Sequence, residues 1–121
     1  MFSEAVLDHF HNPRNAGELP LATAVVEVMN PICGDVLRLS ARVENGRIAE
    51  ARFKAQSCVT AVASASILTE MITGRTPAEA RKITAGDISA ALGGLPPATV
   101  HGSQLAAEAL VALLARIPDS K

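Results

Sequence analysis

The chain has no tryptophan and no tyrosine, and only three phenylalanines among its 121 residues. Its core therefore has to be built from valine, isoleucine, leucine and much alanine, which favours thin helices at close approach. Charged residues are scarce at 19%, and the formal net charge is −1. Without a basic excess there is no electrostatic case for a nucleic-acid partner. Cysteine is limited to Cys33 and Cys58. That is too few for a disulfide framework, and the two are expected to remain reduced and unbridged. No apolar run reaches the length of a membrane span; the closest, Leu105 to Ile117, is interrupted by Glu108. Met1-Phe2-Ser3-Glu4 lacks the basic and apolar regions of a secretory signal. These absences lead to the expectation of a soluble cytoplasmic protein, with residues 1–121 as a single domain.

What is present divides into strands first and helices after. Ser3 and Glu4 predict a helix start, with Val6, Leu7 and Phe10 as its apolar face and Asn12-Pro13 as its end. Thr23 to Met29 alternates, with Ala24, Val26 and Val28 on one side. Val36 to Val43 alternates too, placing Leu37, Leu39, Ala41 and Val43 inward. Asn45-Gly46 is a hairpin signal of the type I′ kind. Arg47 to Lys54 follows as a third strand, with Ala49, Ala51 and Phe53 inward. After Gln56 the period becomes helical. Cys58 to Thr73 carries the stripe Ala61, Ala65, Leu68 and Ile72, with Ser57 as a cap and Gly74 as a stop. Thr76-Pro77 starts another helix and Asp87 to Leu92 a short one. Ser103 is expected to cap a last helix running through Arg116, with Leu105, Ala109, Ala112 and Leu113 inward. The class is α+β: a three-stranded antiparallel sheet, one face wet and the other covered by helices.

Four side chains could carry chemistry. Cys33 and Asp35 flank Gly34, Cys58 stands at the start of a helix, and His101 stands ahead of the last one. Together they form a candidate set of sulfur, oxygen and nitrogen ligands for a metal. If the alternation of the second strand extends backwards, Cys33 and Asp35 share the covered side with Leu37 and Leu39. A thiol in a first helical turn feels the positive end of the dipole, which favours the thiolate, and the same field at His101 disfavours imidazolium. Each residue also has a plain structural reading: a small core cysteine, a turn aspartate, a histidine bonding helix-start backbone groups. The spacing from Cys33 to Cys58 is much wider than that of a zinc ribbon, so spacing alone leaves both readings open.

The surrounding motifs resemble those of the U-type iron–sulfur cluster assembly scaffolds, the family of IscU and the N-terminal domain of NifU. Ser3 through Gly17, reading SEAVLDHFHNPRNAG, is similar to that family's opening helix and loop. Cys33-Gly34-Asp35-Val36 looks like its first ligand motif. Ala51-Arg52-Phe53-Lys54 leading to Cys58, then Ala61 to Ser66, resembles its second, and Leu95-Pro96-Pro97 ahead of His101 and Ser103 its third. The resemblance implies the same α+β fold and a carrier role rather than an enzyme. It implies cofactor-binding and metal ligands at Cys33, Asp35, Cys58 and His101, for iron, a [2Fe-2S] cluster or Zn²⁺. It implies a cysteine desulfurase and apo-protein cluster acceptors as partners.

The chain departs from the family at three places. Where the family has a third cysteine, its main sulfur acceptor, this chain has Gly102. Replacing Gly102 with cysteine is therefore expected to raise sulfur acceptance or cluster retention. The chaperone-docking segment reads Leu95-Pro96-Pro97-Ala98-Thr99 without the family's lysine, which weakens the case for an Hsp70-type chaperone. Ser57 and Val59 stand where glycines usually flank the second cysteine. The leading reading is a cluster-assembly or metal-binding scaffold. The alternative is a degenerate paralogue that acts as an interaction or regulatory module. A zinc hydrolase is disfavoured, because no separate general base is evident beside the site.

Overall fold

The computed structural model describes residues 2–30, 34–56, 58–96 and 99–117. Helix α1, Glu4–His11, is capped by Ser3, whose side chain accepts from the Val6 amide, and it ends at Asn12. Its buried residues are Val6 and His9, whereas Leu7, expected inward, is exposed. Three strands follow: β1 Ala24–Asn30, β2 Asp35–Glu44 and β3 Arg47–Gln56. They form an antiparallel sheet in the order β1-β2-β3. Asn45 and Gly46 both have positive φ, 53° and 75°, as the expected hairpin turn requires.

The alternation expected for the third strand fails at one end. Ile48 is fully buried and Ala49 exposed, although the sequence pattern places Ala49 inward. Arg42 pairs with Glu50 but Val43 with Ile48, so Ala49 is an extra residue on β3. A bulge of this kind inverts the parity on one side of it. From Ala51 onward the pattern holds, and Ala51 and Phe53 are buried.

Two helices cover the inner face of the sheet. Helix α2, Val59–Ile72, lies against β3, and α5, His101–Ala115, lies against β1 and β2. The stripe Ala61, Ala65, Leu68 and Ile72 is buried to within 1% and joins Leu105, Ala109, Leu110 and Leu113 of α5 with Leu37 and Leu39 of the sheet. Two short helices connect them: α3, Pro77–Ala80, and α4, Ala85–Ala91. Each opens on a reciprocal capping box, Thr76 with Glu79 and Thr84 with Asp87. Helix α4 starts earlier than the sequence suggested, because Thr84 supplies a cap that the pattern of apolar residues does not reveal. Helix α1 packs on the outer side of α2 around Val6, Ala63 and Leu92, and Ser3 Oγ donates to the Leu92 carbonyl.

Two caps differ from expectation. Residue Ser57 lies outside the described residues, and the N-cap of α2 is Cys58, which makes no side-chain capping bond. Helix α5 begins at His101 after Val100, three residues earlier than a Ser103 cap would give. The turn is already wound there: Thr99 N–H donates to Pro96 O at 2.8 Å, and Val100 is itself right-handed helical. Ser103 Oγ consequently donates back to the Val100 carbonyl at 2.9 Å.

Candidate metal centre

Three of the four expected ligands come from three different elements at one end of the sheet. Asp35 opens β2. It pairs opposite Asn30, and Gly34 before it takes φ 72°, a conformation that glycine adopts without strain. Gly34 N–H donates to Asn30 O at 2.8 Å, which tightens the turn and delivers Asp35 to the covered face, beside Leu37. Cys58 stands at the N-cap of α2 as an exposed free thiol. His101 is the first residue of α5 and half-buried, its side chain 30% exposed. Cys33 lies outside the described residues, as do Pro97 and Ala98 of the segment ahead of His101.

The three groups converge. His101 Nε2 is 3.3 Å from Cys58 Sγ and 3.7 Å from Asp35 Oδ2. One ligand atom from each of Asp35, Cys58 and His101 lies within 4.8 Å of the others. Tetrahedral Zn²⁺ with ordinary bond lengths spaces sulfur from nitrogen, and nitrogen from oxygen, by about 3.4–3.6 Å. The separations seen here are therefore close to those of ligands already gathered around one ion.

The polar bookkeeping at Asp35 points the same way. The residue is only 5% exposed, and Oδ2 is buried with no hydrogen-bond donor among the described residues. A buried carboxylate oxygen without a partner is destabilising by about 1–3 kcal/mol or more. A cation held between Asp35, Cys58 and His101 would satisfy it. Thiolate, imidazole and carboxylate together suit Zn²⁺ or Fe²⁺ rather than Mg²⁺ or Ca²⁺.

Thr60 belongs to this neighbourhood although sequence reasoning passed over it. It is buried, and its hydroxyl lies 3.3 Å from Cys58 Sγ, so it fixes one side of the thiol. The signal was there to read: a hydroxyl two residues after a cysteine N-cap lies in the first turn beside it. Gly102 is the other residue whose role changes. It is buried in α5 and does not have positive φ. A Cβ built on it would stand 2.6 Å from the Thr60 carbonyl carbon and 2.7 Å from the Ala61 nitrogen. The expectation that a cysteine here improves the site meets a steric obstacle: a side chain at this position requires the backbone at Thr60–Ala61 to shift.

A second polar cluster lies on the far side of α2. His9 is 6% exposed, and its Nδ1 is 2.7 Å from Ser66 Oγ. Ser66 Oγ also accepts from the Arg14 amide at 2.8 Å, which leaves its own proton for His9. Nε2 of His9 faces Glu70 at 3.7 Å. Burial holds His9 below the usual imidazole range, with the Arg14 charge adding to the effect and Glu70 and Asp8 opposing it. Ser66 is fully buried, so this serine, histidine and glutamate hold α1 to α2 and offer no nucleophile to a substrate.

Comparison with known proteins identifies the family. The family described as NifU-like N terminal domain matches residues 1–119. The iron–sulfur cluster assembly scaffold protein IscU 1 of Archaeoglobus fulgidus is 46% identical over 110 residues, covering 91% of this chain and 72% of that protein. The scaffold protein IscU of Haemophilus influenzae is 42% identical over 118 residues, covering 94% and 93% respectively. A solved structure from Fervidobacterium islandicum, described as a putative iron–sulfur cluster assembly scaffold protein for the SUF system, superposes with a TM-score of 0.78. It is 23% identical and covers 93% of this chain and 96% of its own, a likeness of fold.

Proposed function

Because the chain belongs to the NifU-like N-terminal domain family, we propose that it is a scaffold for iron–sulfur cluster assembly, a carrier rather than a catalyst of bond-breaking chemistry. Its cargo is iron or a labile [2Fe-2S] cluster, held by Asp35, Cys58 and His101 with Cys33 as the fourth ligand; the same four suit Zn²⁺ when iron is absent. The observation that carries this reading is the convergence of the three ligand atoms within 4.8 Å around a buried carboxylate oxygen that lacks a donor among the described residues. The names of the relatives, scaffolds of cluster assembly in an archaeon and a bacterium, support the same role. A cysteine desulfurase as sulfur source and apo-proteins as acceptors follow from that role, and the cytoplasm is its compartment.

The chemistry of the donors sets the character of the carrier. Two thiolates, one carboxylate and one imidazole bind iron less tightly than a set richer in sulfur, because the soft ligand count is lower. Cargo held this way leaves readily, which suits transfer. A bare Gly102 after His101 also favours a second reading, in which the chain keeps the fold but serves as an interaction or regulatory module in cluster assembly. Anaerobic reconstitution with ferrous iron, cysteine, a cysteine desulfurase and dithiothreitol, which reduces the persulfide sulfur to sulfide, separates the two. The scaffold reading expects visible absorption from a cluster that is lost on chelation and missing in Cys58→Ser and His101→Ala. A natural chain that takes up neither iron nor a cluster, while still binding the desulfurase, would establish the second reading instead.

A further inference from the structure

Gly102 sits between two ligands. It follows His101 at the start of α5, and the atoms nearest the place of its missing Cβ belong to Thr60 and Ala61, just after Cys58 at the start of α2. A Cβ at Gly102 would meet the Thr60 carbonyl carbon at 2.6 Å, the Ala61 nitrogen at 2.7 Å and Thr60 Oγ1 at 2.7 Å. Two of those atoms are helix backbone, which cannot swing aside as a side-chain tip can. Gly86 in α4 shows the contrast: a Cβ there meets nothing closer than 3.6 Å. Since Gly102 does not have positive φ, the need for glycine is one of space and not of backbone conformation.

The same contact sets a functional distance. Non-bonded carbon atoms rest at about 3.5–4.0 Å, so admitting a Cβ means parting the two helix starts by roughly 1 Å. His101 and Cys58 ride on those two starts, and their 3.3 Å approach would open with them. We propose that Gly102 is a positioning residue: its bare Cα lets α5 seat on the Thr60–Ala61 peptide and so holds His101 against Cys58. The position after His101 is then not an empty ligand place in this chain, and no residue put there can add a third sulfur without dismantling the pair. The ligand role of His101 and Cys58 rests on the reading given above; the positioning itself does not.

The test has one arm without metal and one with it. In the metal-free protein, nuclear Overhauser contacts between the Cys58 β-protons and the His101 ring are expected in the natural chain and lost in Gly102→Ala. Leu92→Ala, which thins the separate cluster around Val6 and Ala63, serves as a control of lowered stability and should keep those contacts. With Co²⁺ as the probe, Gly102→Ala should weaken binding at least tenfold, and Gly102→Cys should add no third share of sulfur-to-cobalt charge-transfer intensity. Should the single variant not fold without metal, its cobalt-loaded form and the pair Thr60→Gly/Gly102→Ala, which relieves one of the three contacts, are read in the same way. Retained Cys58–His101 contacts, an unchanged cobalt spectrum in Gly102→Ala, or a third thiolate signal in Gly102→Cys would each overturn the proposal. If the natural chain binds no Co²⁺, the ligand reading fails, while the metal-free arm still decides the role of Gly102.

Discussion

Two histidines stand where helices meet in this protein, and their surroundings are opposite in kind. His9, between α1 and α2, receives the Ser66 hydroxyl on one ring nitrogen and faces Glu70 with the other, while Ser66 is itself satisfied by the Arg14 amide. His101, at the meeting of α2 and α5, faces a thiol and a carboxylate oxygen that lacks any donor among the described residues. At the first junction the Ser66 hydroxyl bonds both the His9 ring and the Arg14 amide. The other gathers a thiol, an imidazole and a carboxylate oxygen that lacks a donor among the described residues, a set that a cation would complete. A buried polar network is rigid when every member is paired, and a half-paired one is a place for a ligand.

That contrast can be broken from either side. The largest effect is expected at the closed junction: His9→Ala should destabilise the metal-free protein by about 2–3 kcal/mol, through a lost buried bond and the space left behind. Chemical denaturation measures it, and metal binding should be unchanged. Next comes the open junction. Zn²⁺ at a hundred times its dissociation constant should stabilise the natural chain by about 2.7 kcal/mol, seen as a rise in Tm that Cys58→Ser abolishes. A smaller effect of opposite sign is expected from Asp35→Asn. It removes a charge from a nearly buried carboxylate whose Oδ2 has no donor among the described residues, so the metal-free protein should gain about 1 kcal/mol while losing its response to metal. An Asp35→Asn chain that is less stable without metal would mean that the carboxylate is already satisfied.

The smallest effect is one of pH and belongs to His9. Burial lowers its affinity for a proton in the folded state, so folding favours the neutral ring. The unfolded chain therefore binds more protons in the window below the ordinary imidazole value of about 6.5. Stability from this group is complete above that value and is lost as pH falls toward the lowered folded-state value. A plot of unfolding free energy against pH should slope down on the acid side of neutrality in the natural chain and flatten in His9→Gln. An identical slope in both would assign the effect to other groups.

The sequence carried much of this but unevenly. Strands β1 and β2, the Asn45-Gly46 turn and the buried stripe of α2 were legible, because each is a local pattern with a fixed period. The parity of β3 near Ile48 was not, since a bulge shows itself only against its partner strand. His9 was missed as a buried residue because its partner Ser66 is 57 positions away. Motif resemblance pointed to Asp35, Cys58 and His101, which the fold brings together, whereas periodicity alone left their roles open. Gly102 read as a deficiency along the chain, since nothing in the sequence tells how near another backbone will come.

The ties of the first helix and its loop have a consequence for how the protein is made. Ser3 reaches Leu92, His9 and Arg14 reach Ser66, and Ala16 pairs in parallel with Phe53, so residues 3–17 hold on to partners much later in the chain. Closing loops of such length is favourable only when the distant partners are already in place. The hairpins and α2 can form from neighbouring residues, but α1 cannot dock before α2 exists. Pulse-labelling exchange during refolding should therefore protect the amides of Leu7 and Asn12 after those of β2 and β3. On a ribosome the order of synthesis and the order of settling run opposite ways: residues 3–17 emerge before α2 yet dock only after it, and the tie of Ser3 to Leu92 closes last.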